Sequence, residues 1–298
     1  MAFIFPVPYV PAGGAAGPAF GYTSGGNTGA TSDVIDKFTF ATDANATDVG
    51  DLTTARQLPT GQSSSDNGYT SAGDNGNVID KFPFASDNNA TDVGDLSISR
   101  LFQGAGQSSS THGYTSGGFN TDTIDKFTFA TDANATDVGN LSGSKTTMAG
   151  QSSSSHGYVS GGTTNFSVNL DVIEKFTFAT DADSTDVGDL TVGRGAGGTL
   201  GGQSSSTHGY TSGGSASLDV IDKFTFASDN NATDVGDLTV PKAYLAGQSS
   251  SSHGYNSGGD DGSLTNVIEK FTFATDANAT DVGDLTVTRG YAAGQQGG

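Results

Sequence analysis

The sequence predicts an all-β protein: a six-bladed β-propeller of four-stranded antiparallel blades, preceded by an extended N-terminal arm. Three observations carry this. A Gly-Tyr pair recurs at Tyr22, Tyr69, Tyr114, Tyr158, Tyr210 and Tyr255, at spacings of 47, 45, 44, 52 and 45 residues. A fixed period of this size marks solenoids and propellers. No segment carries the helical apolar period, whereas each repeat offers four short strand candidates separated by turn residues. One repeated Phe pair supplies twelve of the 18 Phe, an apolar surface that a single repeat cannot bury by itself.

Residues 1–18 form the arm and 19–298 the propeller, with repeats starting near 21, 68, 113, 157, 209 and 254. The arm, opening MAFIFPVPYVP, holds four of the seven prolines. Proline fixes φ and removes a donor, so this stretch favours an extended, polyproline-like path. It has no basic n-region and is read as an arm rather than a signal peptide. Phe3, Phe5, Pro6, Pro8 and Tyr9 are its candidate partner-docking residues.

Each repeat then reads as strands in order. AGQSSSS is small and polar and suits the crowded axis, where Gly, Ala and Ser fit. HGYTSGG ends in a diglycine, which permits a tight turn and close backbone approach. VIDKFTFA alternates strictly: Val34, Asp36, Phe38 and Phe40 share one face, and Ile35, Lys37, Thr39 and Ala41 the other. Burying each Phe ring contributes about 2 kcal/mol, so the pairs should dominate the contacts between blades. TDANATD is a turn of Asp, Asn and Thr, and DVGDLTV the outer strand. Pro83, in KFPF, requires either a bulge or an unpaired position there. The chain stops at AGQQGG, the start of another inner strand. That tail closes the ring with the first repeat, or AGGAAGPAF supplies the strand instead; the tail is the favoured reading.

Composition narrows function by exclusion. With no Cys among 298 residues there is no disulfide framework, thiolate metal site or Cys nucleophile. A formal charge of −20 without a basic stripe disfavours nucleic acid as a partner. No apolar run approaches bilayer length, which predicts no membrane insertion. The twelve cations all occupy repeat positions, six Lys in I-D/E-K-F and six Lys or Arg after VGDL or VGNL. They are expected to neutralise carboxylates of their own or the next blade.

No chemistry-bearing constellation emerges. His112, His156, His208 and His253 occupy one repeated position where another copy has Asn67, which suits a turn residue better than a metal ligand. Asp43, Asn45, Thr47 and Asp48 resemble a calcium loop but lack its Gly and its Glu; Asx-turn capping is the preferred reading, with calcium a minor alternative. NAT sequons such as Asn45–Thr47 recur in five copies and matter as glycan acceptors only in a secretory context. The serines lack a G-x-S-x-G elbow. The expectation is therefore a non-enzyme with no catalytic residue, resident metal or cofactor.

What differs between copies is the loop after each diglycine and the segment after each fourth strand. Phe102, Phe119 and Phe166, with Tyr244 and Tyr291, are the aromatics these segments add, and Asp260 and Asp261 lie in the last loop. Aromatics beside carboxylates and amides are a common way to grip sugars, so Phe102, Phe119, Phe166, Asp260 and Asp261 are the candidate ligand-binding residues.

The order Tyr22, Gly25-Gly26, an apolar strand Ile35 to Phe40, a turn, a fourth strand and Arg56 resembles kelch repeats, the propeller type of the galactose oxidase central domain. The resemblance covers nearly everything after the arm. It departs in having no Trp, with Val49 nearest that place, and in SAG for SGG in the second repeat. It implies a propeller but no oxidase, since that copper site needs a Cys-modified Tyr. The wording ATDANATDVGDLT…AGQSSSTHGYTSGG is also similar to repeats in structural and tail proteins of aquatic tailed phages. This implies a virion protein of a phage tail or fibre, docked to other virion proteins through its arm and touching host-surface glycans through its loops. The alternative is an extracellular or cell-surface bacterial adhesin or lectin-like propeller.

Overall fold

A computed structural model describes residues 19–215 and 218–298, so the arm residues Phe3, Phe5, Pro6, Pro8 and Tyr9 lie outside the described residues. The fold is a six-bladed β-propeller, each blade built on a four-stranded antiparallel sheet. Blade 3 shows the plan: Ala105–Ser108 innermost, then His112–Ser116, Thr123–Thr128 and, at the rim, Thr136–Asn140. The tail closes the ring: Ala293–Gly297 pairs with Phe20–Ser24 and becomes the inner strand of blade 1. No helix of the described residues is long and apolar enough to cross a membrane.

The alternation of the third strand serves two neighbours, because a blade is covered on both faces. Phe38 and Phe40 pack with Tyr255, Ile268 and Leu285 of blade 6, while Ile35 packs with Phe82 and Phe84 of blade 2. Six such clusters fill the six interfaces. Within each, a Tyr stacks on the second Phe of the next blade, as Tyr69 does on Phe129 at 4.9 Å between centroids. Burial pushes the phenols of Tyr69, Tyr114, Tyr158, Tyr210 and Tyr255 up to about 12.

The axis is stitched by rings of identical contacts. A Cβ added to Gly106 would collide with the carbonyl oxygen of Gly61, and the same collision runs through Gly150, Gly202, Gly247, Gly294 and Gly61 back to the start. Glycine is required there because backbone meets backbone. Ser63 N–H donates to Ser108 Oγ at 3.0 Å, and the pattern continues through Ser152, Ser204, Ser249 and Gln296 before returning to Ser63. The inner strand is not confined to small residues as expected. Its Gln is buried and reaches the next blade, Gln62 Nε2 donating to Tyr114 O at 3.0 Å, and its counterparts repeat this around the ring.

All twelve cations bridge to the following blade, and none to its own. Six pairs are outer and partly exposed, such as Lys81 with Asp132 at 2.5 Å. Six are buried: Arg56–Asp80, Arg100–Asp125, Lys145–Glu174, Arg194–Asp222, Lys242–Glu269 and Arg289–Asp36. Within these six buried pairs arginine always meets Asp and lysine always meets Glu, so the two side-chain lengths compensate across the interface. The rim shows a second compensation. Asp95 N–H donates to Asn134 Oδ1 of the next blade, but at one interface the types exchange and Asn140 faces Asp183.

Pro83 causes no bulge. It ends the strand Gly76–Pro83, and the ladder to the rim strand runs only as far as Lys81↔Thr91. Its missing N–H falls beyond that ladder, so Pro83 is unpaired on the rim side only, while on the other side it stands opposite Asn67 in the ladder. Five other blades place Thr here, its hydroxyl accepting from the Ala N–H two residues on, as Thr128 does from Ala130 at 3.2 Å. Blade 1 differs at its seam. The tail reads GQQGG where other copies have GQSSS, and Tyr22 Oη is buried without the Ser partner that Tyr69 finds in Ser64.

Candidate functional site

Chain direction in the blades sends the loop after each diglycine and the segment before each inner strand to one end of the propeller. Bridges between successive blades join them there: Asn27 with Gly290, Thr146 with Thr163, and Ala243 with Asp260. The diglycines make the turn, Gly25 and Gly26 standing at φ 65° and 104°. Around the axis at this mouth, Leu58 N–H donates to Tyr291 O at 2.7 Å, Tyr291 N–H to Tyr244 O at 3.1 Å, and Tyr244 N–H to Thr199 O at 2.9 Å. These segments form a belt that holds their side chains in place.

The mouth contains a cavity of about 530 Å³ lined by Asn27, Gln57, Leu58, Phe102, Tyr244, Asp260, Leu264 and Tyr291. Two candidate residues, Phe102 and Asp260, face it. Phe119 and Phe166 do not line it but join Phe102 in a three-ring cluster, with centroids 5.5 Å apart for Phe102–Phe119, 4.6 Å for Phe102–Phe166 and 5.5 Å for Phe119–Phe166. Asp261 is exposed in the adjacent loop, outside the lining. The five aromatics that the variable segments add thus gather at one end. Tyr244 and Tyr291 stack at 3.8 Å between centroids. Asn27, Gln57, Leu58, Leu264 and the two Tyr were not among the candidate ligand residues. Tyr244 and Tyr291 share one repeat position, which the other copies fill with Leu58, Gln103, Thr147 and Thr199, and that contrast was the signal available.

Several of these side chains occupy backbone that bulky residues avoid. Phe166 stands at φ 55°, Tyr244 at 58° and Tyr291 at 60°, all left-handed. Such conformations cost about 1–3 kcal/mol each and cluster at functional sites. Phe166 tops a small hairpin, Thr163–Thr164 pairing with Val168–Asn169, which helps to account for the 52-residue spacing of its repeat. Burial, and next the hydrogen bond with Tyr244, hold the Tyr291 phenol above its ordinary range. Asn27 Nδ2 donates to Gln57 Oε1 at 2.7 Å, and Asp260 Oδ1 accepts from Gly262 N–H at 2.8 Å. Gln57 Nε2 and Asp260 Oδ2 take part in no hydrogen bond among the described residues.

Compared with protein-family models and with curated proteins, the chain matches none. The mouth is therefore read from its own chemistry.

The opposite end holds the histidines and the acidic turns. Each His Nδ1 lies 2.8 Å from the hydroxyl of the preceding Thr or Ser, as His112 from Thr111, and its N–H caps onto a Ser of the inner turn. Burial lowers the His pKa values and the neighbouring Lys lowers them further. The oxygens of the calcium-like turn are turned to other partners: Asp43 to Lys270, Asn45 to the N–H of Asp284, Asp48 to the N–H of Gly50. Among the described residues no group of three His, Cys, Asp or Glu converges as a metal ion needs.

Proposed function

We propose that the chain is a non-enzymatic binding propeller of a virion, carried in or on a phage tail, that turns its mouth to the host surface and grips glycans there. One observation carries the binding half: the five aromatics that the variable segments add, scattered from Phe102 to Tyr291 in sequence, converge on one end, and Phe102, Tyr244 and Tyr291 line one cavity there. A scaffold alone has no use for them, because the repeated Tyr, Ile, Leu and Phe already fill the six interfaces.

The virion half is supported by the likeness of the repeat wording to phage structural and tail proteins. Phe3, Phe5, Pro6, Pro8 and Tyr9 of the arm would dock on a neighbouring virion subunit. Mass spectrometry of purified virions tests this, with tryptic peptides of the chain expected at structural stoichiometry. Their absence from virions, with recovery instead from the surface of a bacterium, would replace this reading with a cell-surface adhesin.

A further inference from the structure

We infer that the mouth takes an uncharged pyranose unit of a glycan and rejects sialic and uronic acids; this rests on the mouth being the binding face. Charge comes first. The twelve cations of the chain are all consumed in pairs between blades. None lines the cavity. Of the 32 carboxylates, 12 sit in those pairs and 20 do not (32 − 12), so the free charge of the molecule is wholly negative. An acidic sugar would meet this field, and Asp260 inside the cavity, with no Arg or Lys to receive its carboxylate.

The lining suits a neutral ring. A pyranose presents an apolar C–H face and a rim of hydroxyls. Phe102, Tyr244 and Tyr291 supply aromatic surface, while Asn27, Gln57 and Asp260 supply donors and acceptors for hydroxyls. Gln57 Nε2 is a free donor and Asp260 Oδ2 a free acceptor, and a sugar hydroxyl serves both roles. The Tyr291 phenol, its pKa raised, stays protonated and brings no further charge. At about 530 Å³ the cavity falls in the range of small-ligand sites, roughly 300–1,000 Å³. A quaternary ammonium group is the competing occupant of an aromatic site with one carboxylate. The stacked Tyr pair, offering one platform rather than walls, and the two amides favour the sugar.

The test prints neutral glycans, matched sialic- and uronic-acid-terminated glycans and choline at equal density, and probes them with the labelled full-length chain. Neutral glycans should bind at least about tenfold more tightly than their acidic counterparts, a like-charge penalty of about 1.4 kcal/mol or more. Tyr291→Ala and Phe102→Ala should each weaken this at least about tenfold. Asp260→Asn keeps an oxygen for the Gly262 N–H and should narrow the neutral-over-acidic preference. It serves as the folded control if Tyr291→Ala disturbs the belt. Acidic glycans or choline binding as tightly as neutral glycans would overturn the inference, as would a preference unchanged in Asp260→Asn. The same proteins are then applied to host cells. Cell binding lost in the mouth variants while no neutral glycan binds refutes the ligand class but retains the mouth. Cell binding equal in all of them refutes the mouth itself.

Discussion

Arg289 and Lys270 lie in one interface, between blades 6 and 1, and each neutralises one carboxylate of blade 1, yet their removal should differ several-fold in cost. The Arg289 guanidinium is fully buried, 2.5 Å from Asp36 Oδ2, itself fully buried, and it donates to the carbonyls of Val34 at 2.9 Å and Gly25 at 3.2 Å. Burial pulls its pKa below the ordinary value, and Asp36 opposes that. Lys270 reaches Asp43 Oδ1 at 2.5 Å, but that carboxylate is 56% exposed. Arg289→Met leaves Asp36 in the interior with only the N–H and hydroxyl of Thr286 as donors. Breaking a buried pair in this way costs about 3–5 kcal/mol. Lys270→Met removes a solvated pair worth about 0–1 kcal/mol. Against a total stability of about 5–15 kcal/mol the first loss is severe and the second barely visible. Urea denaturation at pH 7, followed by circular dichroism, measures both. Asp36→Leu combined with Arg289→Met, which strands no charge, should recover most of the loss. If the two single variants lose equal stability, or Arg289→Met loses under about 1 kcal/mol, the account of the buried pairs is wrong.

Gly106→Ala should destabilise by about 1–3 kcal/mol or more, because the Gly61 carbonyl it meets is backbone and cannot rotate aside. Gly143→Ala, with nothing within 4 Å of its added Cβ, should stay within about 0.5 kcal/mol on the same denaturation curves. Glu269→Asp should shorten the reach to Lys242 and lose stability, and adding Lys242→Arg should restore most of it by writing the Arg–Asp combination of four other interfaces. A double-mutant cycle showing no coupling beyond about 0.5 kcal/mol would contradict this. The four histidines have lowered folded-state pKa values, so the unfolded chain takes up protons first as pH falls. Their contribution is absent above the unfolded value of about 6.5 and becomes a destabilisation between there and the lowered folded values. Replacing all four with Asn, the residue at position 67, should flatten stability between about pH 7 and pH 5, modestly because the rings are partly solvated. An unchanged pH slope would show that they do not contribute.

Much of the fold was legible because one sentence is written six times and each copy repeats the same physical requirements. The alternation around Asp36 placed a carboxylate on the face of Phe38 and Phe40, which already demanded a buried partner. Which cation that partner was could not be read locally, since Arg56 follows the Asp36 of its own repeat and precedes Asp80 of the next. The six copies together hold the answer: pairing within blades mixes Arg with Glu, whereas pairing to the next blade matches Arg to Asp and Lys to Glu throughout. The binding end was legible only as a set of odd residues. Phe102, Phe119 and Phe166 stood out as additions to the repeat, but nothing local distinguished a cluster from three separate surface rings.

Sequence alone determined the period, the strand order and the two-faced third strand, because these depend on side-chain alternation and turn chemistry within about 45 residues of chain. Tertiary structure decided what requires the closed ring. Pairing of Ala293–Gly297 with Phe20–Ser24 sets blade 6 beside blade 1. Only then do Asn27 and Gln57 of the first repeat share one cavity with Tyr244, Asp260 and Tyr291 of the last two. Residues more than two hundred positions apart become neighbours through a circular path, and no local pattern encodes the closing of a circle.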